Sequence, residues 1–165
     1  MGAGGHDRLG LTLNEAKTSL RNACEERFNF LGYSFGPHYS PKNGRKYLGA
    51  SPSKTSVARL KQRISAILHR GNTAPWGEIR TELNRALKGW SAYFGYGTCT
   101  SAYRAIDNHV MTRVQRFLSK RHKVPSRGTA RFSRDTVFGS LGVVSLRMPI
   151  MPTNQAMWPP PCDMR

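Results

Sequence analysis

Carboxylates are what this sequence has least of: nine Asp and Glu stand against 26 Lys and Arg in 165 residues, a formal net charge of +17. Enzymes that transfer phosphoryl groups with two metals need clustered carboxylates to hold the ions. The chain has no Asp-Asp pair. Glu78 and Glu82 are one helical turn apart, a spacing commoner on a solvated face paired to neighbours such as Arg85 than at a metal. Cysteine says little more. Cys24, Cys99 and Cys162 are odd in number, far apart and form no C-x-x-C pair, which argues against a disulfide framework or a zinc site. The five histidines are scattered. No apolar run reaches the roughly 18 residues that cross a bilayer, and residues 1–10, MGAGGHDRLG, do not form a secretory leader. Nucleophile elbows and phosphate-binding glycine loops are missing too, Gly95-Tyr96-Gly97 being too short to count. The expectation is a reduced, intracellular protein outside the membrane, with no catalytic residue and no metal ligand of its own.

What is present is positive charge, unevenly spread. Residues 1–50 carry a net +3, residues 135–165 are neutral, and residues 51–134 hold seventeen basic and three acidic residues, a net +14. So basic a segment needs a polyanion, and nucleic acid phosphate is the commonest one.

The apolar residues, 38% of the chain, give the elements. Phe28–Phe35 (FNFLGYSF), the turn residues Pro41-Lys42-Asn43-Gly44 and the following Lys46-Tyr47-Leu48 read as a β-hairpin. Short strands are not stable alone, so this unit must lean on another. Three amphipathic helices follow. The first is capped by Ser53, runs to about His69 and carries Val57, Leu60, Ile64, Ile67 and Leu68 on one face. The second begins near Pro75 and ends before Gly95, with Trp76, Ile79, Leu83, Leu87, Trp90 and Phe94 inward. The third runs from about Ser101 to Arg121 around Tyr103, Ile106, Val110, Val114, Phe117 and Leu118. The fold expected is mainly α: a small three-helix bundle preceded by a short β-hairpin, with an irregular Pro-rich tail.

Winding the helices at 100° per residue gathers their cations into bands: Arg113, Arg116, Lys120 and Lys123 on the third, Arg59, Arg63 and Arg70 on the first. Such bands repeat at roughly 5–6 Å along a helix, close to the phosphate spacing of a strand. Tyr96 and Tyr103 flank the second connection and are candidates for stacking on bases. Asn84 reads as a structural hydrogen-bonder, and Trp90 and Phe94 as core aromatics.

Leu11-Thr12-Leu13-Asn14-Glu15-Ala16-Lys17-Thr18, followed by Phe28-Asn29-Phe30-Leu31-Gly32-Tyr33, resembles the end of the palm of group II intron reverse transcriptases. There an L-N-x-x-K-T element precedes the F-L-G-[FY] primer grip. The likeness continues through Pro52-Ser53-Lys54, Leu83-Asn84-Arg85, Gly89-Trp90-Ser91-Ala92-Tyr93-Phe94, Arg113, Phe117, Leu118 and Arg121-His122-Lys123 to Arg127-Gly128-Thr129 and Leu141-Gly142-Val143. That is the pattern of the maturase-specific domain, also called domain X or the thumb. The resemblance covers about residues 9–147, and its L-N-[KR]-x-L-x-G-W-x-x-Y-F core is rich in rare residues. It implies four segments: the end of the palm with a primer-grip-like hairpin (1–50), the thumb (51–124), an extension of that domain (125–147) and a tail (148–165).

By this resemblance the chain is an RNA-binding maturase or thumb domain that assists folding and splicing of intron RNA and does no bond-making itself. Its partners would be structured group II intron RNA, a template–primer duplex, and palm and fingers regions. Phe30, Leu31, Gly32 and Tyr33 fall on the primer grip. To Arg59, Arg63, Arg70, Arg113, Arg116, Lys120 and Lys123 the RNA-binding set adds Lys54, Arg85, Lys88, Arg121, Arg127 and Arg131. The family's Y-[AV]-D-D box, whose aspartates bind Mg²⁺, does not occur here, nor does the Cys-rich endonuclease module. No cofactor is therefore assigned, and Mg²⁺ is expected only with the intron RNA or a complete palm. Residues 148–165, with five of the ten prolines, do not resemble the family and are expected to be disordered or polyproline-like. Two other readings stay open, a reverse transcriptase fragment working with a separate palm and a truncated, non-functional remnant. The compartment expected is the cytoplasm in a bacterium or an organelle in a eukaryote.

Overall fold

The computed structural model describes residues 22, 25–40, 43–124 and 130–147. The L-N-x-x-K-T element, Arg127 and the tail lie outside them. The order is β1 (Phe28–Phe30), β2 (Tyr33–Tyr39), β3 (Lys46–Pro52), α1 (Lys54–Ile67), α2 (Trp76–Tyr93) and α3 (Thr100–Arg121), then a π-helical turn over Thr136–Ser140. The chain is mainly α, with a three-stranded antiparallel sheet ahead of the helices.

The run FNFLGYSF is itself a hairpin. Phe30 pairs with Tyr33 across a two-residue loop, and both loop residues have positive φ, Leu31 at 49° and Gly32 at 81°. That is the backbone a type I′ turn demands, and it matches the twist of the flanking strands. A Cβ on Gly32 would meet the Ser56 hydroxyl at 2.9 Å and the Phe94 ring at 3.0 Å, so only glycine fits there. The expected turn at Asn43-Gly44 joins β2 to β3, with Tyr39 opposite Lys46. There are thus two hairpins where one was expected, because an apolar F-L-G-Y turn looks like strand by composition. Pro37, which has no N–H to donate, falls in the part of β2 that β1 no longer covers.

Helix boundaries follow local chemistry. Ser53 caps α1, its Oγ accepting from the Ser56 N–H at 3.2 Å. Pro75 precedes α2 and gives its carbonyl to the Ile79 N–H. The core is one cluster: Leu60, Ile64 and Ile67 of α1, Ile79, Leu83, Ala86 and Leu87 of α2, and Ile106, Val110, Val114, Phe117 and Leu118 of α3. α1 packs against both other helices.

A fourth layer completes the bundle. Residues 130–147 run over the side of α2 and α3 away from α1, adding Phe132, Val137, Val143 and Leu146 to the core. The strap is fastened at both helices. On α2, Asn84 donates to the Gly142 carbonyl and accepts from the Val144 N–H, each at 2.9 Å, while the Trp76 indole reaches the Leu141 carbonyl at 3.3 Å. On α3, Gln115 donates to the Phe132 carbonyl at 2.7 Å. The strongest fastening is Asp107, which is 0% exposed. Its carboxylate accepts from Ser145 Oγ at 2.7 Å, Leu146 N at 3.0 Å and Arg147 N at 3.2 Å, with the Arg134 guanidinium 3.6 Å away.

A buried charge is tolerated only when fully hydrogen-bonded, and removing it strands its donors. Asp107→Ala is therefore expected to lower unfolding stability by roughly 3–5 kcal/mol in urea titration. Loss below about 1 kcal/mol would show the strap to be held by apolar contact alone.

Candidate nucleic-acid interface

The hairpin and the bundle are locked together. Ser53 N and Ser56 Oγ both donate to the Gly32 carbonyl, at 2.9 and 2.8 Å. Tyr33 donates to the Tyr93 carbonyl at 2.8 Å and Tyr93 to the Leu31 carbonyl at 3.0 Å, a reciprocal pair between hairpin and α2. The Tyr33 and Phe94 rings lie 5.0 Å apart. β3 is tied in turn: Thr98 N donates to the Ala50 carbonyl at 2.8 Å, and a Cβ at Gly97 would collide with that carbonyl. Phe30 and Leu31, at the tip, remain 58% and 67% exposed. Of the primer-grip-like residues, then, Gly32 and Tyr33 anchor the hairpin while Phe30 and Leu31 face outward.

Two of the residues expected to bind RNA make structural hydrogen bonds. Arg113 is half-buried and turned back on α1, donating to the Ser65 and Leu68 carbonyls at 3.1 and 3.3 Å. It satisfies the end of a helix that has no basic residue in its own last turn. Arg121 donates to the Ala74 and Thr73 carbonyls at 2.7 and 3.3 Å, holding the α1–α2 connection. Tyr103, expected as a stacking candidate, packs inward. Its ring is half-buried against Trp90, centroids 6.1 Å apart, and its hydroxyl donates to the Phe94 carbonyl at 3.1 Å. Burial, with Cys99 beside it, pushes its phenol up to about 12. Tyr96 is 73% exposed and stays a stacking candidate. Phe94 is buried and Trp90 packs on the core, as their spacing implies.

The exposed cations do not form one band. α1 turns Ser65 toward α3, where its hydroxyl lies 3.1 Å from His109 Nε2. Lys54, Ala58 and Lys61 line a groove of about 360 Å³ with Ser101, Ala102 and Ala105 of α3. Arg59 and Arg63 lie about 120–160° around α1 from Lys61 and Ser65, whereas α1 ends at Ile67, so Arg70 lies beyond the helix and outside that band. On α3, Arg116 and Lys120 lie on the flank that also carries Ala102 and His109, so they join Lys54 and Lys61 on the α1–α3 side, with Lys123 following at the helix end. Arg85 and Lys88 are on the outward flank of α2, and Arg131 sits on the strap, its guanidinium 5.9 Å from the Phe132 ring. Lys54, Arg59, Arg63, Arg70, Arg116 and Lys120 are exposed and make no side-chain hydrogen bond or ion pair with any described residue. Lys61 on the groove rim was not among the residues singled out from sequence. Its membership shows only once the α1 flank facing α3 is known.

His109 sits at the seam, Nε2 3.2 Å from the Lys61 carbonyl. Burial lowers its pKa, and the nearby charges of Lys61 and Arg113 push the same way, against the Lys61 carbonyl. A histidine whose folded pKa lies below its unfolded value contributes stability in full above the unfolded value near 6.5, and that stability is lost as pH falls through it. The thermal midpoint should therefore drop between pH 7 and 5, and drop less in His109→Gln. His38, also lowered by burial, is unchanged in both proteins. Equal drops would remove His109 from the account.

Fold and surface together define a cationic, thumb-like three-helix domain clamped to an antiparallel hairpin. Residues 57–134 match the model of the group II intron, maturase-specific domain, and this match supports the C-terminal region of a group II intron maturase. No curated protein matches the chain. The match ends at 134, before Val137, Val143 and Leu146, which complete the same core. Among the described residues, no helix is long and apolar enough to cross a membrane, and no three His, Cys, Asp or Glu side chains gather where a metal could sit.

Proposed function

We propose that this chain binds structured RNA through the α1–α3 side of the bundle and helps a group II intron RNA reach its splicing-competent fold. The supporting observation is the set of cations there, Lys54, Lys61, Arg116, Lys120 and Lys123, which form no ion pair with a described residue, in a segment of net charge +14. Phosphates repel one another when RNA helices pack, and a row of cations lowers that cost without chemistry of its own. In this reading the chain makes and breaks no bonds, and any Mg²⁺ belongs to the RNA. The exposure of Tyr96 at the α2–α3 connection supports stacking on an unpaired base as part of this reading.

A second reading is favoured by one observation, the rigid docking of the F-L-G-Y hairpin on α1 and α2. A thumb fixed to a primer grip suits a template–primer channel, in which case the chain is part of a reverse transcriptase that needs a separate palm.

RNA affinity is expected to fall steeply with salt, since each neutralised phosphate releases counterions. Replacing Arg116, Lys120 and Lys123 with Gln should flatten the slope of log K against log salt by about two to three units, with circular dichroism unchanged. Arg113→Gln should do the reverse, lowering the thermal midpoint and leaving the slope nearly intact. The same loss of slope from Arg45, Lys46 and Lys88 replaced together would mean that bulk charge alone binds RNA.

A further inference from the structure

The outward crest of α1 is neutral. Thr55, Ala58, Gln62 and Ala66 recur along it at helical spacing, within about 80° of one another. Cations stand on both sides of this crest. Lys54 and Lys61 flank it toward α3, where Arg116 and Lys120 share the α3 flank of Ala102 and His109 and Lys123 follows the helix end. Arg59 and Arg63 flank it on the opposite side, and Arg70 follows beyond the end of α1. Glu78 and Glu82 of α2 are exposed and form no ion pair with a described residue, so the arginine row keeps its charge.

The angles decide what such a helix can hold. A helix that lies in the groove of one duplex needs its cations close beside the crest, reaching down to the two phosphate walls. Here each row stands roughly 60–120° from the crest and points sideways. A helix about 10–12 Å across, with long arms extended on opposite sides, presents two separate lines of charge. One A-form duplex cannot meet both without leaving one row in solvent, because its minor groove is wide and shallow.

We propose that the domain binds two RNA duplex segments at once, one on each flank of α1, and so bridges them. The proposal rests on the RNA-binding reading above and adds its valency. Arg59 and Arg63, with Arg70 beyond the helix end, hold one segment, and Lys54, Lys61, Arg116, Lys120 and Lys123 hold the other. The small, uncharged crest allows the two phosphate surfaces to approach with α1 between them. Bridging in this form is a pairing activity: one chain raises the effective concentration of one RNA helix near another.

The test uses two identical RNA hairpins with plain A-form stems, one carrying a donor dye and one an acceptor, and the full chain. Energy transfer should rise as protein is added, peak near one chain for two hairpins and fall when excess protein separates them. Sedimentation should show two hairpins per single chain. Arg59, Arg63 and Arg70 changed together to Gln should still bind one hairpin but lose bridging by about tenfold or more, and the set Arg116, Lys120 and Lys123 should behave likewise. Saturation at one hairpin per chain, bridging only through complexes with two protein chains, or full bridging by both variants would each overturn the proposal. Failure of the wild-type chain to bind a hairpin at all would overturn the RNA-binding reading itself.

Discussion

The carboxylate of Asp107 lies fully buried in a chain of net charge +17, accepting three hydrogen bonds from residues 145–147. The bundle's arrangement depends on that contact. α2 and α3 both pack on α1 and leave a trough on the side away from it. The strap fills the trough with Val137, Val143 and Leu146 and is held by Asp107 on α3 and Asn84 on α2. With the trough filled, α3 is fixed in rotation, and the flank carrying Arg116 and Lys120 is fixed toward solvent beside α1. One buried anion thus orients several exposed cations. Charge that must meet a polyanion is useful only when the helix beneath it cannot roll.

The hairpin contributes a second rigid joint. Its turn is clamped by α1 through Ser53 and Ser56 and by α2 through the Tyr33–Tyr93 exchange. The exposed tip, Phe30 and Leu31, therefore keeps a fixed position relative to the cationic flank. Intron RNA or a template–primer duplex bound there would meet one continuous body.

Helix periodicity and capping made α1, α2 and α3 legible to within a residue or two, because Ser53, Pro75 and the Gly95–Gly97 stop act locally. The family was legible too, from the L-N-R-A-L-K-G-W-S-A-Y-F run that lines α2. What the sequence hid was tertiary. Asp107 looked like one of three lonely acids, since nothing in its neighbourhood of the chain tells that residues 145–147 return to it. Arg113 shares a helical band with Arg116 and Lys120, but a wheel cannot show that the end of α1 lies within its reach. The two cationic bands seemed to be one surface because the sequence does not say which flank of α1 meets α3. Ser65 and His109 settle that. The F-L-G-Y turn escaped composition because its loop is apolar and Leu31, which also takes positive φ, is not a turn-forming residue type.

The central claim is that a defined flank, and not charge in general, meets RNA. Lysine acylation with and without bound RNA, quantified residue by residue, tests it most directly. RNA should slow modification of Lys54, Lys61, Lys120 and Lys123 severalfold while Lys46, at the far end of the sheet, and Lys88, on the outer flank of α2, react as they do in the free protein. Equal protection of Lys46 and Lys88, or full reactivity at the four flank lysines with RNA bound, would contradict the account.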